Sequence, residues 1–365
     1  MPYSIYVMPF AKDLTNIERA ALAALWHEGG MSRRDLGTEL AVSRPTVERA
    51  LTSLLRQELV MQSDVESPRR GRPAKRFGIR PDAWATLGMD LELPEIHLVL
   101  SDAVGETLAE SQFETRDAHD EPGDVLRGMA SRIRSWLSGL SSPLAERIIG
   151  LGIGVPGFLT PRGVSFVGRN LPKWEQVPVQ TILEESLGLP VLIQHDVHLM
   201  ALEELTLRKS SEEPSLFFSV RPGLNHDLRI GGAICMNGAV YSGGRGNGGA
   251  LYRASVDLEP LADHDEDARL RHVAQRLAET MVHAVLLIDP LRVVVHAECM
   301  GSQEGRLLDL TRTALDELLQ GEYVGEAELT RALIRASSGA HQASIAVTHR
   351  TLTPMTWDNG GDTPL

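Results

Sequence analysis

Residues 69–80 read Arg69-Arg70-Gly71-Arg72-Pro73-Ala74-Lys75-Arg76-Phe77-Gly78-Ile79-Arg80: six cations, no carboxylate, two glycines and a proline. A duplex carries about one negative charge per 1.7 Å of axis, and a loop of this kind neutralises phosphates or inserts arginines into a minor groove. Taken alone, the stretch reads rather as a charged, protease-sensitive linker, because basic runs are common. What precedes it decides for the loop.

Asn16 to Glu28 has the period of an amphipathic helix, with Ile17, Ala21, Leu22, Leu25 and Trp26 on one face and Gly29-Gly30 at its end. Ser32 opens a second helix as N-cap, with Asp35 three residues on in a capping-box arrangement and Leu36 and Leu40 as buried positions. After an Ala41-Val42 turn, Ser43 caps a third helix that carries Pro45 in its first turn. Val47, Leu51, Leu54, Leu55 and Leu59 form its buried stripe, which leaves Arg44, Thr46, Glu48 and Arg49 facing outward. Two short helices joined by a tight turn, the second with polar side chains at its N-terminal end, is how a helix enters a major groove. Arg44 and Arg49 suit guanine edges or phosphate, and Thr46 suits either. Glu48 accepts from cytosine N4 or simply faces solvent.

An ordinary three-helix bundle is the competing reading. Strands at Leu59 to Ser63 and Ala74 to Ile79, flanking the basic loop, argue against it. Residues 1–80 therefore read as a winged helix-turn-helix, with Ser43, Arg44, Thr46, Arg49, Arg69, Arg70, Arg72, Lys75 and Arg76 as the DNA contacts.

Charge is divided along the same boundary. The formal charge is −13, yet residues 1–80 hold 13 Lys/Arg against 9 Asp/Glu, a balance of +4, which leaves −17 on the rest. A basic head on an acidic body suits a polyanion-binding module whose body is repelled by nucleic acid. The two cysteines, Cys235 and Cys299, offer no disulfide framework or CxxC site, as expected of a reducing compartment. The N-terminal residues lack the charged-then-apolar order of a signal peptide, and no stretch approaches the ~20 apolar residues of a membrane span. A cytoplasmic location is the expectation.

From Thr86 onward strands and helices alternate. Leu87 to Leu91, Ile96 to Asp102 and Thr107 to Glu114 read as strands, Asp124 to Leu140 as a helix and Ile148 to Val155 as a buried strand. The order returns later: strands at Leu216 to Val220, Ile230 to Met236 and Ala239 to Tyr241 around an Asn237-Gly238 turn, a helix at Asp267 to Ile288, and a strand at Leu291 to His296. Two copies imply two lobes (81–205 and 206–350) with a ligand-sized cleft between them. Thr348 to Leu365 is polar with Pro and Gly and reads as a mobile tail, given its own segment from 351.

Several stretches resemble the ROK family, which unites sugar-responsive repressors and sugar kinases on a two-lobed actin-like fold (a duplicated ribonuclease H-like unit). They are Gly152-Ile153-Gly154-Val155-Pro156-Gly157, Asn170-Leu171-Pro172 with Trp174, Leu189-Pro190-Val191 through His195-Asp196-Val197-His198, Ala201-Leu202 with Glu204, Gly246-Asn247-Gly248-Gly249, and Leu287-Ile288-Asp289-Pro290. Gly71-Arg72-Pro73 matches the wing of the family's regulators. Departures from the kinases are concentrated in the nucleotide site. Their D-x-G-G-T, where glycine lets backbone N–H groups approach phosphate, becomes Asp90-Leu91-Glu92-Leu93-Pro94. Their G-T-G-x-G becomes Gly223-Leu224-Asn225-His226-Asp227, and a G-G pair becomes His296-Ala297. Phosphoryl transfer needs that positioning, so no catalysis and no cofactor is expected.

The family's zinc cluster is absent, and Gly249-Ala250-Leu251-Tyr252-Arg253 stands where its zinc histidine would be. His195, Asp196 and His198 are read as hydrogen-bonding groups rather than a substitute metal site. By position, the resemblance places a sugar contact at Asn170, His195, Asp196 and Arg253. In the kinases the aspartate is the general base; here Asp196 accepts from ligand hydroxyls, or merely caps the following helix. Arg253 and His195 in place of less basic residues suggest an anionic effector such as a sugar phosphate or acid, and a pocket that binds nothing is the other possibility.

The leading expectation is a DNA-binding regulator, a repressor of carbohydrate metabolism. It would act as a homodimer or homotetramer on a pseudo-palindromic, A/T-rich operator and respond to a sugar or sugar derivative. A sugar kinase with a fused DNA-binding head is the alternative, and a scaffold whose head binds protein is the third.

Overall fold

The computed structural model describes residues 14–65, 74–92, 95–114, 120–140, 143–160, 163–165, 173–208, 213–223, 227–251, 254–259, 265–319, 327–335 and 337–352. Helix α1 (Asn16–His27) starts at Thr15, whose hydroxyl accepts from the Glu18 amide at 3.3 Å while the Glu18 carboxylate accepts from the Thr15 amide at 2.7 Å. Strand β1 (Met31–Ser32) leads into α2 (Arg33–Glu39), with Ser32 Oγ accepting from the Asp35 amide as its sequence demands. Ala41, at φ 51°, turns the chain into α3 (Arg44–Arg56). Ser43 stands at the cap position but departs from expectation. Its hydroxyl bonds the Thr46 hydroxyl at 2.8 Å, and no backbone amide is capped.

Strands β2 (Val60–Val65) and β3 (Ala74–Ile79) pair antiparallel, and β1 adds to β3 to give the order β1-β3-β2. Two residues are too few to show a period, which is why β1 was not legible in advance. Leu22, Leu25, Leu36, Leu51, Leu54 and Phe77 fill the core of this head.

The first lobe is built on β4 (Ala85–Glu92), β5 (Glu95–Asp102) and β6 (Thr107–Glu114), an antiparallel meander. Helix α4 (Pro122–Gly139) crosses to β7 (Ile148–Val155), which lies parallel to β4. A small hairpin, β8 (Phe158–Thr160) and β9 (Gly163–Ser165), precedes α5 (Val179–Leu187), and β10 (Val191–His195) completes the order β10-β7-β4-β5-β6. Period-two alternation divides the faces: Leu87, Met89, Leu151 and Ile153 pack with α4 and α5.

Helix α6 (Asp196–Arg208) leads to the second lobe. Its sheet, order β13-β12-β11-β15-β16, comprises β11 (Ser215–Pro222), β12 (Asp227–Met236), β13 (Ala239–Val240), β15 (Arg292–His296) and β16 (Glu328–Arg331), with β14 (Ser255–Asp257) paired to β12. Helices α7 (Glu266–Ile288) and α8 (Glu304–Leu319) cover one face through Leu216, Phe218, Val220, Val293 and Val295. The other face, with Phe217, Ala233 and Val294, receives Val197, Met200 and Ala201 of α6.

The last described element, α9 (Ser338–Leu352), does not stay with the second lobe. It packs on β4, β7 and β5 of the first sheet, on α6, and on α1 of the head. Gly88 and Gly152 make this possible: a Cβ at either position would overlap the carbonyl oxygen of Ala340 or Ala343. The expectation of a tail from Thr348 is corrected up to Leu352, since Thr348 and Leu352 are helical and buried. Small and polar residues that pack backbone to backbone on glycines give α9 no strong apolar stripe, so its sequence resembled a tail. Residues 353–365 lie outside the described residues.

Candidate functional sites on the head and between the lobes

On the head, the N-terminal end of α3 exposes Ser43, Arg44 and Arg49, with Thr46 half-buried beside them. Glu48 does not face solvent alone. Its carboxylate pairs with Arg33 of α2 at 3.3 Å, and the Arg33 guanidinium lies 5.0 Å from the centre of the Phe77 ring. That pairing removes a bare carboxylate from the surface that α3 presents. Lys75 and Arg76 are exposed on β3, and Arg76 donates to the Gly30 carbonyl. Arg69, Arg70 and Arg72 lie outside the described residues.

The head joins the body through a continuous core. Trp84, Ala103, Ile149, Val347 and Leu352 pack in the same cluster as Leu22 and Leu25, and Trp26 Nε1 donates to the Ala103 carbonyl at 3.2 Å.

Between the lobes, strand ends and a helix start converge. Asp90 lies near the end of β4, His195 ends β10, Asp196 begins α6, and Arg221 lies near the end of β11. Arg221 reaches across from the second lobe: its Nη2 is 3.0 Å from Asp90 Oδ2 and its Nη1 is 3.5 Å from Asp196 Oδ2. Its guanidinium also touches the Met200 thioether. Asp196 Oδ1 accepts from the Val197 amide at 2.8 Å, so one oxygen caps α6 while the other faces the guanidinium. The capping expectation describes Oδ1, and Oδ2 is held by Arg221.

Burial pushes the Asp90 carboxyl up, the Arg221 charge opposes this, and Asp196 adds to it. Burial also works against ionisation of Asp196, yet His195 and Arg221 outweigh it and hold that carboxyl below its ordinary range. Burial would lower Arg221, but the two carboxylates raise it. His195 stacks with His198 at 5.0 Å between ring centres, and its Nδ1 lies 3.7 Å from Asp196 Oδ1. Burial, then the neighbouring His195, push His198 down to about 4, so at neutral pH it is an uncharged ring whose Nε2 donates to the Gly248 carbonyl at 2.5 Å.

A second contact spans the lobes nearby. Asn247 accepts from the Leu159 amide at 2.9 Å and donates to the Leu159 carbonyl at 3.1 Å. Several buried polar atoms around the cleft and the second sheet have no hydrogen-bond partner among the described residues: Asp90 Oδ1, His195 Nε2, Ser219 Oγ and both ring nitrogens of His296. Ser219 and His296 are register partners on β11 and β15.

The structure thus brings together His195 and Asp196 of the expected effector contacts, while Asn170 and Arg253 lie outside the described residues. Arg221 was missed. The available signal was a lone cation at a strand end, next to Pro222-Gly223, where a glycine loop was expected. Among the described residues no group of three or more His, Cys, Asp or Glu is placed to hold a metal ion, and no helix is long and apolar enough to cross a membrane.

Comparison with known proteins places this architecture. The ROK family model matches residues 86–252. The xylose repressor of Caldicellulosiruptor bescii is 24% identical over 231 residues, covering 63% of this chain and 56% of that one. The chain therefore spans little more than half the length of that relative. A crystal structure described as a ROK family transcriptional regulator, homologous to the Mlc protein of E. coli, superposes with a TM-score of 0.63 at 17% identity. That superposition covers 93% of this chain and 98% of the other, head included. A ROK hexokinase from Thermus thermophilus gives 0.51 at 24% identity and covers 72% of this chain and 97% of its own. An N-terminal helical region followed by a mixed α/β body is the shared plan, and the family match over residues 86–252 together with these relatives shows a ROK-family relationship.

Proposed function

We propose that this chain is a DNA-binding transcriptional regulator, a repressor of carbohydrate metabolism, controlled by a sugar or sugar derivative held between the lobes. In this reading the head is a winged helix-turn-helix. Its helix α3 enters the major groove with Ser43, Arg44, Thr46 and Arg49, while Arg69, Arg70, Arg72, Lys75 and Arg76 grip the backbone or minor groove. The body is an actin-like pair of lobes. Two copies of the chain would address a pseudo-palindromic operator, as the two-fold symmetry of such sites requires.

The observation that carries regulator over kinase is Arg221. Its guanidinium is in contact with both Asp90, at the strand end where the kinases carry a phosphate loop, and Asp196, the carboxylate their chemistry would use as base. A carboxylate held by a buried cation is a poor proton acceptor, and a cation paired with two carboxylates has little charge left for a phosphate. The relatives named as repressors support the same reading.

In the cleft, Asp196 and the unpartnered His195 Nε2 are hydrogen-bonding groups suited to ligand hydroxyls. The test is selection of genomic fragments by the purified full-length chain, with and without xylose, glucose and their phosphates. Enrichment of a recurring two-fold motif, altered by one of these sugars, is the expected result. ADP release with common hexoses and no fragment enrichment would overturn the reading.

A further inference from the structure

Arg221 has a partner on its own sheet. It pairs in register with Arg229 across the antiparallel β11–β12 ladder, so both side chains lie on one face of the second lobe. Like charges directly opposite each other on a ladder repel, and burial removes the water that would screen them. Burial pushes Arg229 down to about 10, with the Asp90 charge acting against that fall. The first lobe carries the complement: Asp90 and Asp196, both buried, brought within reach of one guanidinium. Each half alone is a pair of like charges. Arg221 meets both aspartates across the lobes, and the Asp90 charge also acts on Arg229.

We propose that Asp90, Asp196 and Arg221 form an electrostatic latch that holds the two lobes together, with Arg221 as its bolt. The proposal concerns regulation of the interlobe site and rests on the reading of that site as the effector pocket. A ligand that reaches Asp196 must take the guanidinium's place at Oδ2, so binding and unlatching are one event. The consequence travels by a visible route. A Cβ on Gly339, at the start of α9, would lie 2.8 Å from Asp90 Oδ2, and the far end of that helix shares a core with α1. Displacing Asp90 therefore presses on the helix that supports the head.

The Leu159 amide reports latch closure without a ligand or DNA, because its acceptor Asn247 belongs to the other lobe. Hydrogen exchange on the full-length chain, resolved to the segment containing Leu159, would be compared for wild type, Arg221→Met, Asp90→Asn and the double variant. Exchange in β15 serves as the control for intact folding of the second lobe. Each single change should speed exchange at Leu159 at least tenfold while β15 stays protected. The double variant should lose no more protection than the worse single change, because both remove the same pair. Unchanged exchange in both single variants overturns the latch, as does a double variant whose losses simply add. If Arg221→Met does not fold, Asp90→Asn decides, since it unbalances the cluster with the opposite sign. None of these outcomes touches DNA binding, so the latch and the regulator reading fail separately.

Discussion

Trp84 and Thr348 lie 264 residues apart in the chain and meet in the core, the indole Nε1 donating to the threonine hydroxyl at 3.2 Å. The bond sits where α9 passes between the first sheet and the head. At its other end α9 abuts Asp90 and Met200, and midway Ser344 shares a hydroxyl bond of 2.7 Å with Ser101. One helix of 15 residues, about 22 Å long, thus connects the cleft to the N-terminal head.

Thr348→Val should therefore destabilise the chain by about 1–3 kcal/mol, because it strands a buried indole N–H. Thr348→Ser, which keeps an acceptor, should lose less. Urea unfolding followed by tryptophan fluorescence measures both; equal stability of Val and wild type would show that Trp84 finds another partner.

The glycines under α9 make a sharper contrast. Gly152→Ala inserts a methyl into the Ala343 carbonyl and should cost about 3 kcal/mol or prevent folding. Gly128→Ala, on the exposed face of α4 with nothing near its Cβ, should be neutral or stabilising by up to about 1 kcal/mol. Denaturation midpoints for the two variants should move in opposite directions.

Two buried rings set a pH window. His198 and His296 are both lowered to about 4, by burial first and then by His195 and Arg221 respectively. Between pH 6.5 and 4 the unfolded chain binds more protons at these rings than the folded one, so stability falls as pH drops through that window. Above about pH 7 neither ring contributes. The loss approaches about 3 kcal/mol per ring at the acid end. Unfolding free energies for His296→Asn between pH 7.5 and 4.5 should slope less than those of wild type, and parallel slopes would exclude a buried neutral imidazole.

On the head, Arg44→Ala and Arg49→Ala should each weaken operator binding by about 1–3 kcal/mol or reduce the salt slope by about 1, depending on whether the side chain meets a base or a phosphate. Arg33→Ala should also weaken binding, because it releases the Glu48 carboxylate toward the DNA-facing surface. Titrations at several salt concentrations separate these cases.

The sequence made the periodic parts readable. Ser32 with Asp35 announced α2, alternating Leu87, Met89 and Leu91 announced β4, and the apolar run Ile148 to Val155 announced β7, whose glycines leave one face bare. What that bare face was for could not be seen, since α9 carries small and polar residues in no strong pattern and its partners lie far back in the chain, on β4, β7, α6 and α1. The cleft shows the same limit. Asp196 stood out because a family motif surrounds it, whereas Arg221 belongs to no motif and acquires its role only when β11 meets β4 and α6 in space. Pairings across the lobes, such as Asn247 with Leu159, have no local signature at all.

DNA binding by the head is the point on which the proposed function turns. Fluorescence anisotropy of the full-length chain on duplexes selected from genomic DNA, titrated against salt, measures it. Saturable binding to a recurring motif, weakening steeply with salt and reduced by Arg44→Ala, is expected. Equal affinity for motif and scrambled duplexes, or none at low ionic strength, would contradict it.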